Sequence, residues 1–160
     1  MNVPSAAPVR PAGAADRAGL VALARQQLGS ATEADAYVAH LLGLLGSGAV
    51  TVLVAPLPGG LAGCVTVSAP TSETAGNGAT LRYAMIADLY VDPLHRGSGL
   101  GRALTDAAES VARAAGAERI ALKVLSANGG ALDFYRRAGY RERFVVLDRA
   151  LEEPGNPPLP

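Results

Sequence analysis

Residues 96–101, Arg-Gly-Ser-Gly-Leu-Gly, stand between a β-rich stretch and one with helical spacing. Glycine at 97, 99 and 101 lets the backbone approach a ligand with no Cβ in the way, and the helix that follows offers unpaired N–H groups and the positive end of its dipole. Such a turn can hold an anion. Two nucleotide fingerprints do not fit it: a dinucleotide loop needs glycine at 102, where Arg102 stands, and a Walker A loop ends in Gly-Lys-Ser/Thr. A plain glycine-rich turn easing a strand into a helix is the other reading of the same residues.

A second group lies downstream in VLSANGGALDFYRRAGY, residues 124–140. It places Asn128 just after a strand, Ala131 in the first turn of a helix, Phe134 and Tyr135 near the helix end, and Gly139 where a stop is expected. Metal chemistry has no comparable support: there is one cysteine and there are two histidines, and no Cys/His cluster has ligand spacing. Cys64 sits on a predicted buried strand and reads as a core residue in a reducing, cytoplasmic setting. Lys plus Arg number 14 and Asp plus Glu 14, so the chain lacks the broad field that nucleic-acid or anionic-membrane binding uses. All the basic residues except Lys123 are arginine, a bias that codon usage explains as readily as anion recognition.

These groups need elements to carry them. At 160 residues the chain fits one domain, over 9–149, with flexible termini at 1–8 and 150–160. Val9–Arg10 end a first strand. Asp16 is placed to cap a helix through Leu20, Leu23 and Leu28, and Thr32 with Asp35 resembles a capping box opening a second helix through Leu45. Residues 49–55 and 61–69 pair as a hairpin across Pro-Leu-Pro-Gly-Gly, and that turn breaks the uncharged run 41–72 so that it is no membrane span. Residues 70–80 form a loop and 82–91 a strand ending at Asp92-Pro93. A helix from Leu100 closes at Gly116, 119–127 is a strand, 130–138 a short helix, and 140–151 a final strand alternating around Phe144, Val146 and Asp148. The order β-α-α-β-β-β-α-β-α-β is an α+β (mixed α/β) fold with helices on both faces of a mostly antiparallel sheet. No secretory signal is visible.

The two groups together resemble the GNAT superfamily of N-acetyltransferases. Arg96, Gly99 and Gly101 match its Arg/Gln-x-x-Gly-x-Gly/Ala motif, after the frequent string Asp-Leu-Tyr-Val-Asp-Pro. Asn128, Ala131, Phe134, Tyr135, Gly139 and Tyr140 match its Asn-x-x-Ala-x-x-Phe-Tyr-x-x-x-Gly-aromatic pattern, in the expected order. The resemblance implies acetyl-CoA as co-substrate, no metal, and an amine acceptor, with the cofactor in an opening between the fourth and fifth strands of that order. The diphosphate would then rest on the N–H groups of Gly97, Ser98, Gly99, Leu100 and Gly101, with Arg96 and Arg102 nearby. Backbone near Leu89 and Val91 would pair with the pantetheine amides like an added strand.

Asn128 and Ala131 belong to the cofactor side by the same match. Arg136 and Arg137 are phosphate candidates whose alternative is plain solvated helix charge. Tyr135 stands at the position that protonates the departing thiolate, and the resemblance implies direct attack by the amine. Asp88 is the acidic candidate on the acceptor side. It acts through water, binds the amine, or orders a strand bulge. Ala87 fills the preceding position, which is often acidic in the family. Glu73, Tyr90 and His40 are weaker candidates, and His95 is read as solvent-facing. Ala87 also keeps open a non-catalytic acyl-CoA-binding sensor, and a protein (lysine or N-terminal) acetyltransferase differs only in acceptor size. A homodimer through edge strands is common among such folds.

Overall fold

The computed structural model describes residues 8–74, 78–143, 145–147 and 149, within two compact units, Met1–Lys123 and Val124–Pro160. The first unit runs β1 (Arg10–Pro11), α1 (Arg17–Leu28), α2 (Ala31–Gly46), β2 (Val50–Leu57), β3 (Gly60–Ser68), β4 (Thr71–Thr74), β5 (Thr80–Val91), α3 (Leu100–Ala114) and β6 (Arg119–Leu122). The second contains α4 (Gly129–Arg137). The fold is α+β around a mostly antiparallel sheet, in which the β5–β6 pairing is parallel.

The hairpin forms because two β-branched runs flank a chain reversal at Pro58-Gly59, where Gly59 takes a φ of 81°. Val52 and Val54 on β2 pack with Leu20 and Ala24 of α1 and with Ala34, Val38 and Leu41 of α2. α3 lies on the opposite face, where Leu104 reaches Gly63: a Cβ there would sit 3.1 Å from Leu104 Cδ1 and 2.7 Å from the Tyr90 carbonyl oxygen. Helices thus cover both faces of the sheet, and each fully buried Val or Leu contributes about 1.5–3 kcal/mol.

Two registers define the edges of β5. Tyr83 pairs with Thr71 of β4 and with Arg119 of β6, while Ile86 pairs with Val67 of β3 and with Leu122 of β6. β3 and β4 therefore share one edge and β6 takes the other. Past Ile86, the β6 edge of β5 carries no strand among the described residues. There is also a bulge: Val67 pairs with Ile86 but the adjacent Thr66 pairs with Asp88, so Ala87 is the extra residue.

Several expectations need correction. Asp16 does not cap α1; its carboxylate takes both Arg10 guanidinium nitrogens at 2.8 Å and the Gly13 N–H at 2.7 Å, and these charge-assisted bonds outcompete the cap. α2 is capped by Ser30, whose Oγ accepts from the Glu33 N–H at 3.3 Å, rather than by Thr32 with Asp35; Ser-Ala-Thr-Glu was the better-spaced signature. The stretch 70–80 is not all loop, since β4 pairs Thr71–Thr74 with β5 through backbone bonds that need no apolar pattern. The 119–127 strand stops at Leu122, where its ladder meets the residue before the Ala87 bulge.

The final strand is not formed over 140–143, 145–147 and 149, where Val145, Val146 and Leu147 are exposed; Phe144, Asp148, Ala150 and Leu151 lie outside the described residues. The uncharged run 41–72 is spent on the end of α2 and the hairpin, and no described helix is long and apolar enough to cross a membrane.

Candidate functional site

In the first unit, the predicted residues begin where β5 ends. Asp92 leaves the sheet with its N–H bonded to the Ala62 carbonyl, 2.9 Å away, so it points at β3. Antiparallel strands alternate the direction of their backbone groups, so those of Val91 and Leu89 point to the other edge, where no described strand follows. The Val91 carbonyl is met instead by Arg96 Nε at 3.1 Å. This is the backbone that the resemblance to the family would pair with pantetheine.

A short turn, Pro93–His95, then carries the chain to the glycine loop. Asp92 caps it by accepting from the Leu94 N–H at 2.8 Å, and Gln26 of α1 donates to the same carboxylate at 3.0 Å. The Gln26 bond first, and the Leu94 N–H second, hold this carboxyl below the usual range. Tyr90 donates to Gln26 at 3.3 Å, and the Arg96 guanidinium lies 5.7 Å from the centre of the Tyr90 ring. His95 is not solvent-facing: its side chain is 17% exposed, with Nδ1 buried 3.5 Å from Asp92 Oδ1.

Gly97 and Gly99 take φ of 74° and 86°, left-handed conformations that favour glycine, and open space lies where a Cβ would project from either. Gly99 is the N-cap of α3 and supplies no side chain to cap it. Among the described residues, the N–H groups of 97–102 meet no acceptor, and the first helical bond runs from Ala103 to the Gly99 carbonyl. Ser98 turns its hydroxyl to the His95 carbonyl at 2.6 Å, and Leu100 buries its side chain, so both offer backbone alone. Arg102 is engaged on the helix surface by Asp106 at 2.8 Å. A cradle of free N–H groups with room above it fits a diphosphate.

Asp88, the acidic candidate of the sequence, lies on the face beneath α1 and α2. Strict alternation would put residue 88 on the same face as Ile86. The bulge at Ala87 reverses this and sets Asp88 opposite Thr66, under α2, where the Tyr37 hydroxyl donates to Asp88 Oδ2 at 2.6 Å. Burial first, and the bond to Asp88 second, push the Tyr37 phenol well above its ordinary value. Cys64, opposite Tyr90, is pushed up to about 12, mainly by burial and then by the Asp88 charge, so it stays a neutral thiol and a core residue. His40 is exposed on α2 and Glu73 exposed on β4, and neither joins this pair. Tyr37 was missed in the sequence, although a tyrosine on the core side of an apolar helix needs a partner for its hydroxyl.

A separate group of the sequence-predicted residues lies in the other unit and is described by itself. Asn128 caps α4 by accepting from the Ala131 N–H at 3.1 Å, which fixes the first turn. Gly139, at φ 95°, ends the helix: its N–H bonds to the Arg136 carbonyl and that of Tyr140 to the Tyr135 carbonyl, both at 3.0 Å. This Schellman closure brings the Tyr140 ring edge-on to Tyr135 with centroids 5.4 Å apart, while Phe134 stands 5.0 Å away. Tyr135 is thereby fixed between two rings, and burial raises its phenol above the ordinary value, keeping it protonated at neutral pH. Its hydroxyl has no hydrogen-bond partner among the described residues. Arg136 is occupied by Asp133 and Glu142, and Arg137 is exposed. No group of His, Cys, Asp and Glu among the described residues has the geometry to hold a metal.

The chain is similar to known proteins in sequence and in fold. A streptothricin acetyltransferase of Streptomyces lavendulae is 44% identical over 66 residues, 41% of this chain and 34% of that protein. An uncharacterized N-acetyltransferase of Methanocaldococcus jannaschii is 41% identical over 63 residues, 39% of this chain and 28% of that one. The matched stretches thus span about a third of these relatives. In fold, the chain is similar to the aminoglycoside antibiotic 6′-N-acetyltransferase of Acinetobacter haemolyticus, at TM-score 0.72 and 20% identity, covering 91% of this chain and all of that one. The profile of the acetyltransferase (GNAT) family matches residues 21–140, and the chain belongs to that family.

Proposed function

We propose that this chain is an N-acetyltransferase that moves an acetyl group from acetyl-CoA to a primary amine of a small molecule, by direct attack in a ternary complex. The observation that carries this is the uncapped start of α3 beside the edge of β5 that, past Ile86, no described strand covers. Bound there, acetyl-CoA supplies an activated thioester. The N–H groups of Gly97, Ser98, Gly99, Leu100 and Gly101 hold its diphosphate, with Arg96 and, once released from Asp106, Arg102 adding charge. Leu89 and Val91 hold the pantetheine amides, and an N–H near Val91 faces the acyl oxygen as charge develops on it. Asn128 and Ala131 set the turn of α4 that carries Tyr135, which gives its proton to the departing thiolate. Asp88 receives the acceptor amine and, through water, takes the proton that its nitrogen loses as the C–N bond forms and the C–S bond breaks.

The same reading takes 9–149 as one domain working in the cytoplasm, with a small amine as the acceptor, in keeping with the streptothricin acetyltransferase likeness. A second reading, an acyl-CoA sensor without turnover, is favoured by Ala87, which brings no carboxylate to the bulge. Acetyl-CoA at about a hundred times its Kd stabilises by about 2.7 kcal/mol, so millimolar ligand should raise the melting temperature. No shift would overturn both readings. Thiol release that depends on an added primary amine selects the enzyme, and binding without release selects the sensor. With a turned-over amine, Tyr135→Phe should lower kcat by about 10² to 10⁴ with acetyl-CoA affinity kept.

A further inference from the structure

The aspartates of this chain are not alike. Asp16, Asp35, Asp92, Asp106 and Asp133 each have an arginine or histidine within 3.6 Å. Asp88 has none among the described residues. It is also half-buried, where an unpaired carboxylate is costly, and its one recorded side-chain bond is the 2.6 Å contact from Tyr37 to Oδ2. Oδ1 has no partner among the described residues. The Ala87 bulge is what turns this carboxylate under α2, so the backbone departs from regularity to make the pair.

Among the described residues, the side chains facing the pair from β3 carry no charge. Cys64 and Thr66 line β3 opposite Tyr90 and Asp88. The thiol, pushed up to about 12, is neutral, and the phenol, raised further, is always the donor. The direction of the hydrogen bond is therefore fixed, and the other carboxylate oxygen has no partner among the described residues.

We propose that Tyr37 is a positioning residue for the acceptor: its hydroxyl holds Asp88 Oδ2 so that Oδ1 is presented to the ammonium of a primary amine carrying a single positive charge. This deepens the transferase reading and rests on it for its place in the reaction, but the pair itself binds without acetyl-CoA. A charge-assisted hydrogen bond from the ammonium to Oδ1 fixes the nitrogen, and Tyr37 stops the carboxylate from rotating away.

The test is a titration of the full chain with n-butylammonium chloride, followed by amide NMR shifts at residues 64–66 and 87–90, with n-butanol as the uncharged control. Wild type should show saturable shifts that the alcohol does not produce. Asp88→Asn, which keeps an acceptor oxygen but no charge, should weaken binding more than Tyr37→Phe does and leave a residual saturable shift. Tyr37→Phe, which keeps the ring, should weaken binding about tenfold, the scale of one hydrogen bond to a charged group. In the double variant the Tyr37 change should add nothing to Asp88→Asn, whereas a merely structural tyrosine gives independent losses. Unchanged affinity in Tyr37→Phe, independent losses, or no saturable shift in wild type overturns the proposal.

Should Tyr37→Phe fail to fold, the Tyr37 Cζ resonance of wild type decides: it reports the phenol's hydrogen bond and should move at saturating butylammonium, and a stationary signal overturns the pairing. The acetyl-CoA melting shift is read separately, so failure of the transferase reading and failure of the amine subsite are told apart.

Discussion

The three helices of the first unit start in three different ways. At α1 an aspartate stands at the N-cap position but spends its carboxylate on Arg10 and the Gly13 N–H. At α2, Ser30 folds back onto the Glu33 N–H. At α3 the N-cap is glycine with φ 86°, and the N–H groups before and within the first turn meet no acceptor among the described residues. A helix start leaves donors that water or a side chain ordinarily takes. Where the sequence caps one start and strips another down to glycine, the second keeps its donors for something that arrives from outside. The contrast lies within one unit and one solvent, so it reflects local sequence.

Turning the α3 start into a capped one should break that contrast most strongly. Gly99→Asp places a carboxylate on the donors themselves, and two charges about 4 Å apart near a protein surface interact by about 4 kcal/mol. Acetyl-CoA affinity, measured by calorimetry, should fall at least about a hundredfold. Gly99→Asn is the finer instrument, because asparagine tolerates the left-handed conformation and caps without a charge. Its loss should be nearer tenfold. Equal losses in the two variants would mean that backbone strain at residue 99, rather than competition for the N–H groups, sets the affinity.

That loop was readable from the sequence because its chemistry belongs to the backbone, and glycine at 97, 99 and 101 records backbone geometry directly. Gly139-Tyr140 was readable for a related reason: a Schellman end needs a left-handed residue, and the aromatic after it packs on the residue five positions before, Tyr135. The hairpin also followed from β-branched runs around a Pro/Gly turn. The residues of the Tyr37–Asp88 pair are a different case: Asp88 is a candidate on its motif position, but its partner is not. They are 51 residues apart and meet only because α2 crosses the sheet above a one-residue bulge, and no local pattern encodes that crossing. β4 escaped because Thr-Ser-Glu-Thr has no apolar alternation, yet its pairing needs only backbone groups. The Ser30 cap is legible in the sequence, since serine with glutamate three residues on has the capping-box spacing that Thr32 with Asp35 only approximates.

The capped starts sharpen the contrast with smaller effects. Ser30→Ala should cost about 1 kcal/mol in chemical denaturation and leave acetyl-CoA affinity unchanged. A change in affinity there would mean that α2 and the glycine loop do not act independently. At α1 the expected effect is smaller and depends on pH. The Arg10 guanidinium first, and the Gly13 N–H second, hold the Asp16 carboxyl below its ordinary value, although Arg10 itself is half-exposed, so water weakens the pair. A carboxyl lowered in the folded state stabilises above its unfolded value of about 3.9, and that stability is lost as pH falls through the lower folded value. The stability difference between wild type and Asp16→Asn should therefore be constant above about pH 5 and shrink below about pH 4. A difference that grows on acidification, or that persists undiminished to about pH 2, would show that the charge on Asp16 contributes nothing and that the turn before α1 is held by its backbone and shape alone.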